Sequence, residues 1–242
     1  MKSLASSVLL KARVAGVFYL ATSLAGLYYV FAGNGFIVSG DAAATAKNIL
    51  TSESLYRLDI TANIVAAAAY VVVTLLLYEL LKPVSRSISL LAAFFSIIGI
   101  TSAPLVFVCD SAPLVLLHAS QGASASHAAM LQTLAFASLR LSGLGATAGL
   151  VFFGLYCALI GYLLFNSGFF PRALGVLMSI AGICYLVNSF ATLLAPALAH
   201  RLWFVPFGAL IGEVALTLWL LVVGINVPKW QERQQTFSIR PD

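Results

Sequence analysis

The sequence predicts an all-α fold: a polytopic transmembrane helical bundle of about six spans with both termini cytoplasmic. Three observations carry that prediction. Of 242 residues, 61% are hydrophobic and only 9% charged, and the mean hydropathy is +1.01, whereas soluble domains are about one-quarter charged. The apolar runs are about 18 to 25 residues long, the length a helix needs to cross about 30 Å of hydrocarbon. Barrel strands would show short dyad alternation, and none is present. A soluble chain this apolar would expose large sticky patches. In lipid the backbone must satisfy itself, and long apolar runs do so as helices.

The first span, about 14–33, follows Lys2, Lys11 and Arg13. Its apolar core of about 20 residues is longer than a leader's and lacks an A-x-A site, so it is read as a span. The second (about 58–81) and third (about 87–109) are joined by LKPVSR, whose Pro and Ser favour a tight hairpin. The fourth (about 141–165) and fifth (about 172–195) are joined by NSGFFPR in the same way. The sixth covers about 204–224 and is followed by a tail, 225–242. The whole chain, 1–242, reads as one transmembrane domain.

Two outer segments are longer. Residues 34–57 contain SGDAAATAKNIL, where Ser39 or Asp41 can cap a helix of about ten residues. Residues 110–140 contain Pro113, His118 and the run SQGASASH. The third and fourth helices are free to extend into this segment or to bend back on the bilayer. Trp203, Trp219, Tyr28 and Tyr29 suit interfacial belts, with Trp219 deeper than ideal.

The net charge of +5 follows membrane topology. With the N-terminus inside, Lys2, Lys11, Arg13, Lys82, Arg86, Arg172, Lys229, Arg233 and Arg240 are cytoplasmic, against Lys47, Arg57, Arg140 and Arg201 outside. The excess of basic residues on one side places both termini in the cytoplasm and the protein in the cytoplasmic membrane. There is no basic-aromatic surface stripe, so nucleic acid is not an expected partner. Cys109, Cys157 and Cys184 lack CxxC spacing and read as buried free thiols. His118 and His127 are nine residues apart, which does not align two imidazoles on one helix. No metal and no cofactor is expected.

An ionisable side chain near the bilayer centre costs about 3 kcal/mol or more, so each one asks for a reason. Glu79 and Lys82 suit a snorkelling interfacial pair. Asp59 and Asn63 are i and i+4 on the second span. Either Asp59 caps the helix start while Asn63 bonds to a neighbour, or both line a polar cavity. Asn188 and Thr192 are also i and i+4, with Tyr185 one turn before. In the last span Glu213 lies about 13 Å below the outer end, close to mid-membrane. It borders the Gly208/Gly212 seam, and Gly145/Gly149 forms a second small-xxx-small pair. Such faces pack against a partner helix, from this chain or from another copy. Asp59, Asn63, Arg140, Asn188 and Glu213 all fall in the outer half. They form either a buried structural pair, in which Arg140 neutralises Glu213 or Asp59, or a ligand pocket open to the outside.

The segments VSGDAAATAKNIL, LLYELLKPVSRSISLLAAFF, LVFFGLYCALIGYLLFNSGFFPRALGVLMSIAGICYL and GEVALTLWLL resemble an uncharacterised bacterial integral-membrane family, domain of unknown function 4386. The likeness covers roughly residues 12–225. Its more specific parts are S-G-x-x-P-R-x-L-G, here Ser167 to Gly175, and G-E-x-x-L-x-L-W, here Gly212 to Trp219. The chain departs from it at Tyr156, where members often carry His, and at Ser96, where they carry a charged or polar residue. Those departures weigh against a catalytic histidine in the fourth span. The resemblance implies a six-helix membrane protein and brings no activity with it.

The expected function is a non-catalytic membrane module, a sensor, accessory or assembly subunit, binding a small or lipid-like ligand from the outer side. The alternative is a solute or proton-coupled carrier using Glu213. A lipid or isoprenoid enzyme stands third, because no HExxH, GxSxG or DxxxD motif appears. No catalytic residue is expected.

Overall fold

The computed structural model describes residues 2–31, 35–202 and 204–239. Trp203 and Arg240, assigned above to an interfacial belt and to the cytoplasmic side, lie outside these residues, as do the side chains of Lys2 and Tyr29. Ten helices follow in order: α1 (Lys2–Phe31), α2 (Ala42–Thr51), α3 (Glu53–Leu81), α4 (Arg86–Ile100), α5 (Ser102–Ser120), α6 (Ala125–Ser167), α7 (Arg172–Leu194), α8 (Pro196–Arg201), α9 (Val205–Val222) and α10 (Val227–Ile239). There is no strand among the described residues. Six helical stretches are long and apolar enough to cross a membrane, with α4 and α5 counted as one.

Local chemistry accounts for the boundaries. Asp41 caps α2 by accepting from the Ala44 N–H at 2.8 Å. α4 and α5 divide at Thr101 because Pro104 has no N–H to give the Ile100 carbonyl, and its ring crowds that oxygen. The turn after α6 is built by Ser167, whose hydroxyl donates to the Leu164 carbonyl at 2.7 Å and accepts from the Phe170 N–H at 3.1 Å. Gly168 supplies the positive φ of 74° that this turn needs.

Residues 110–140 take one of the two courses the sequence left open, extension of the flanking helices: they are the end of α5, a turn, and the start of α6. α6 runs 43 residues and the α4–α5 stretch 35, well beyond the ~20 that span a bilayer. The 225–242 tail is also more than a tail. Asn226 caps α10 by accepting from the Lys229 N–H at 3.3 Å, and the Trp230 indole donates to the Leu80 carbonyl at 2.9 Å. Helix plus anchor gives the segment a place in the core.

The chain groups into two compact units, each described by itself. Unit 1 comprises 1–23, 69–100 and 147–242. Its core takes Ala12, Ala15 and Tyr19 from α1; Tyr70, Val73, Leu77 and Leu80 from α3; Tyr156, Ile160, Leu163 and Leu164 from α6; and Leu216 and Leu220 from α9. These are helical stripes of three- and four-residue spacing. α6 and α7 pack so closely that a Cβ on Gly175 would sit 2.7 Å from the Gly161 carbonyl oxygen. Val17, Phe94, Ile183, Ile211 and Val222 stay exposed, as a lipid-facing surface requires. Unit 2 comprises 24–68 and 101–146. Its smaller core joins Phe36, Ile49, Tyr56, Ile60, Leu117 and Leu139.

Candidate functional site

The most unusual polar group in unit 1 is the Glu213 carboxylate. α9 presents it beside its small-residue stripe, since Ala209, Gly212 and Leu216 are buried while Ile211 and Leu218 are exposed. The stripe seats against α7: a Cβ on Gly212 would lie 2.6 Å from the Leu177 carbonyl oxygen, and one on Gly208 2.7 Å from the Cys184 sulfur. That close approach brings Tyr185 of α7 to Glu213, and its hydroxyl donates to Oε2 at 3.1 Å. Tyr19 of α1 belongs to the same buried core of this unit. Tyr70 of α3 donates to the Tyr19 hydroxyl at 3.1 Å.

Aromatic rings close the space. Phe153 lies at the centre, with ring centroids 4.9 Å from Tyr70, 5.5 Å from Tyr156 and 5.5 Å from Tyr185. Tyr19 meets Tyr70 edge-on at 5.3 Å. Edge-to-face contacts of this kind add to simple burial and hold the rings in place. Two oxygens in this cluster remain without a partner, Glu213 Oε1 and the Tyr156 hydroxyl. A buried polar atom left unsatisfied costs about 1–3 kcal/mol. The cluster therefore offers one strong acceptor and one hydroxyl inside an apolar, ring-lined space.

Unit 2 holds a second polar set. Asp59 is buried and its Oδ1 has no partner. It does not cap α3, which begins six residues earlier at Glu53. Asn63 turns back along its own helix, its amide donating to the Asp59 carbonyl at 3.0 Å. Asp110 and Ser142 also belong to this unit; the Asp110 side chain is half-buried and Ser142 is buried. The Asp110 main-chain carbonyl accepts from the Tyr56 hydroxyl at 2.7 Å. At the start of α3, Glu53 lies 2.7 Å from Arg57 and 3.3 Å from the His118 imidazole.

The remaining expected groups fall elsewhere. Arg140 is exposed and stacks over the Phe136 ring at 6.0 Å. It joins none of the ion pairs among the described residues, and Glu213 takes the Tyr185 hydroxyl in place of a guanidinium. Asn188 is half-buried, and its carbonyl accepts from the Thr192 hydroxyl at 2.8 Å. Glu79 pairs with Lys11 of α1 rather than with Lys82. Lys82 follows the end of α3 and lies over the Tyr78 ring. Both small-residue faces are occupied within the chain: Gly145 meets Leu105, and the Gly149 carbonyl lies against Gly99. Ser96 is fully buried and 2.6 Å from the Thr74 hydroxyl.

The tyrosines around Glu213 escaped sequence reasoning, apart from Tyr185 as a neighbour of Asn188. A tyrosine in an apolar run reads as packing or an interfacial anchor. The signal that could have marked them is depth, because Tyr19, Tyr70 and Tyr156 sit well inside their apolar runs and not at the ends where aromatic belts form. Tyr156 belongs to this cluster.

A family described as domain of unknown function (DUF4386) matches residues 14–224. An uncharacterised protein of Archaeoglobus fulgidus is 29% identical over 158 residues, covering 64% of this chain and 76% of its own length. That relative is archaeal, so it lends no support to a purely bacterial family. No solved structure matches.

Proposed function

The chain belongs to the family described as domain of unknown function (DUF4386), and from the site's own chemistry we propose a non-catalytic membrane module that binds a small or lipid-like ligand at the Glu213–tyrosine cluster. The observation that carries this reading is the buried, cation-free carboxylate with one oxygen unsatisfied. Such a group calls for a hydrogen-bond donor, and the surrounding rings favour an apolar body attached to it. The ligand class is an amphiphile with a hydroxyl or amine head. Glu213 accepts from that head, Tyr185 orients the carboxylate, and the Tyr156 hydroxyl is a second contact. In unit 2 Asp59 and Asn63 are a separate candidate contact set, while the exposed Arg140 and the half-buried Asn188 are peripheral candidates. By the basic-residue balance, both termini lie in the cytoplasm and the protein in the cytoplasmic membrane.

Native mass spectrometry of the protein extracted from its own membranes tests the proposal. Wild type is expected to carry a non-protein mass that Glu213→Gln retains about tenfold less, the loss of one hydrogen bond to a charged group. An absence of any adduct on wild type, or equal retention by the variant, would rule the reading out. The carrier alternative keeps its footing because Glu213 is in no ion pair among the described residues. In proteoliposomes it requires that wild type dissipate an imposed pH gradient faster than Glu213→Gln.

A further inference from the structure

A recess lies at the C-terminal end of α9. It is a cleft of about 370 Å³ between the Ser167–Arg172 turn, the end of α9 and the start of α10. Phe169, Phe170 and Trp219 line it together with Asn226 and Lys229. The two phenylalanines are buried, and the Phe169 carbonyl accepts from the Asn226 N–H at 3.3 Å, which ties the turn to α10. Trp219 lines the cleft with its indole N–H buried and without a partner. Lys229 is exposed and in no ion pair among the described residues. Arg233, also exposed, follows one turn later on the same face of α10.

The place of the cleft narrows what can fill it. The apolar stretch of α9 ends at Val222 and that of α7 begins at Arg172, so the cleft sits where two spans leave the hydrocarbon. A buried indole N–H without an acceptor suits an ester carbonyl or phosphate oxygen at that depth. Unpaired basic side chains at the mouth suit a phosphate that carries net negative charge. The aromatic walls suit the first methylenes of an acyl chain. We infer that this cleft binds the head group of an anionic phospholipid, with phosphate at Lys229 and the ester region at Trp219.

The full chain is tested in detergent by native mass spectrometry with phosphatidylglycerol and phosphatidylcholine of matched chain length. Phosphatidylglycerol is expected to be retained about five-fold better, the effect of one basic residue at a charged surface. Lys229→Gln, at an exposed position, is expected to bring retention down to the phosphatidylcholine level without changing the melting temperature. Trp219→Phe is expected to weaken both lipids alike, because the ester region is common to them. Equal retention of the two lipids by wild type, or a preference that survives Lys229→Gln, overturns the inference. Displacement of the lipid by millimolar inorganic phosphate also overturns it, since the cleft would then be a simple anion site.

Discussion

Glu213 illustrates how a single side chain changes meaning once its neighbours are known. A mid-span carboxylate invites a search for a cation, and Arg140 is the obvious partner by charge. The structure answers with a hydroxyl: Tyr185 donates to the carboxylate, while Tyr70 donates to Tyr19 in the same core. Neutral donors avoid the desolvation of a second ion, which often exceeds the gain from a buried pair. The consequence is measurable. Glu213→Gln keeps an oxygen that can accept from Tyr185, so it should cost little stability, whereas Tyr185→Phe should cost about 1 kcal/mol. Combining Tyr185→Phe with Glu213→Leu should show a coupling of at least about 0.5 kcal/mol in a thermal or SDS unfolding cycle. Strict additivity would mean that the hydroxyl and the carboxylate do not interact.

The helices themselves were largely legible, because long apolar runs and turn residues report directly on backbone needs. Asp41 and the SGFFPR turn show this at single residues: the cap and the positive-φ glycine stand where their chemistry predicts. Two features were not legible. α10 follows from Asn226 as a cap and Trp230 as an anchor, yet its polar composition resembles a tail, and the anchor only exists because Leu80 offers a carbonyl. The close packing of α6 on α7 depends on glycines whose partners lie on another helix. Gly175→Ala should therefore lower stability by about 1–3 kcal/mol, as overpacking against a backbone oxygen does. Gly143→Ala, where a Cβ would meet nothing within 4 Å, should instead raise it by about 0.5–1 kcal/mol through helix propensity. Melting temperatures of the two variants in one detergent make the comparison.

For the molecule as a whole, orientation is the property most open to direct test. The proposed topology, with nine basic residues on the inner side against four on the outer, puts both termini in the cytoplasm. A fluorescent-protein fusion after Asp242 should be bright, and an alkaline phosphatase fusion at the same point should be inactive. Within the 121–124 turn between α5 and α6 the activities should be reversed, and the opposite pattern would invert the topology. By itself the sequence determined the class of solvent, the helical class, the family and the presence of a carboxylate where one is expensive, because composition and run length act residue by residue. Only the tertiary structure decided which groups meet: Glu79 with Lys11, Glu213 with Tyr185, the glycine seams with their own chain, and the Trp219 indole N–H with no hydrogen-bond partner among the described residues. Each of those outcomes depends on which helix faces lie together, and no periodicity along one helix encodes the identity of its neighbour.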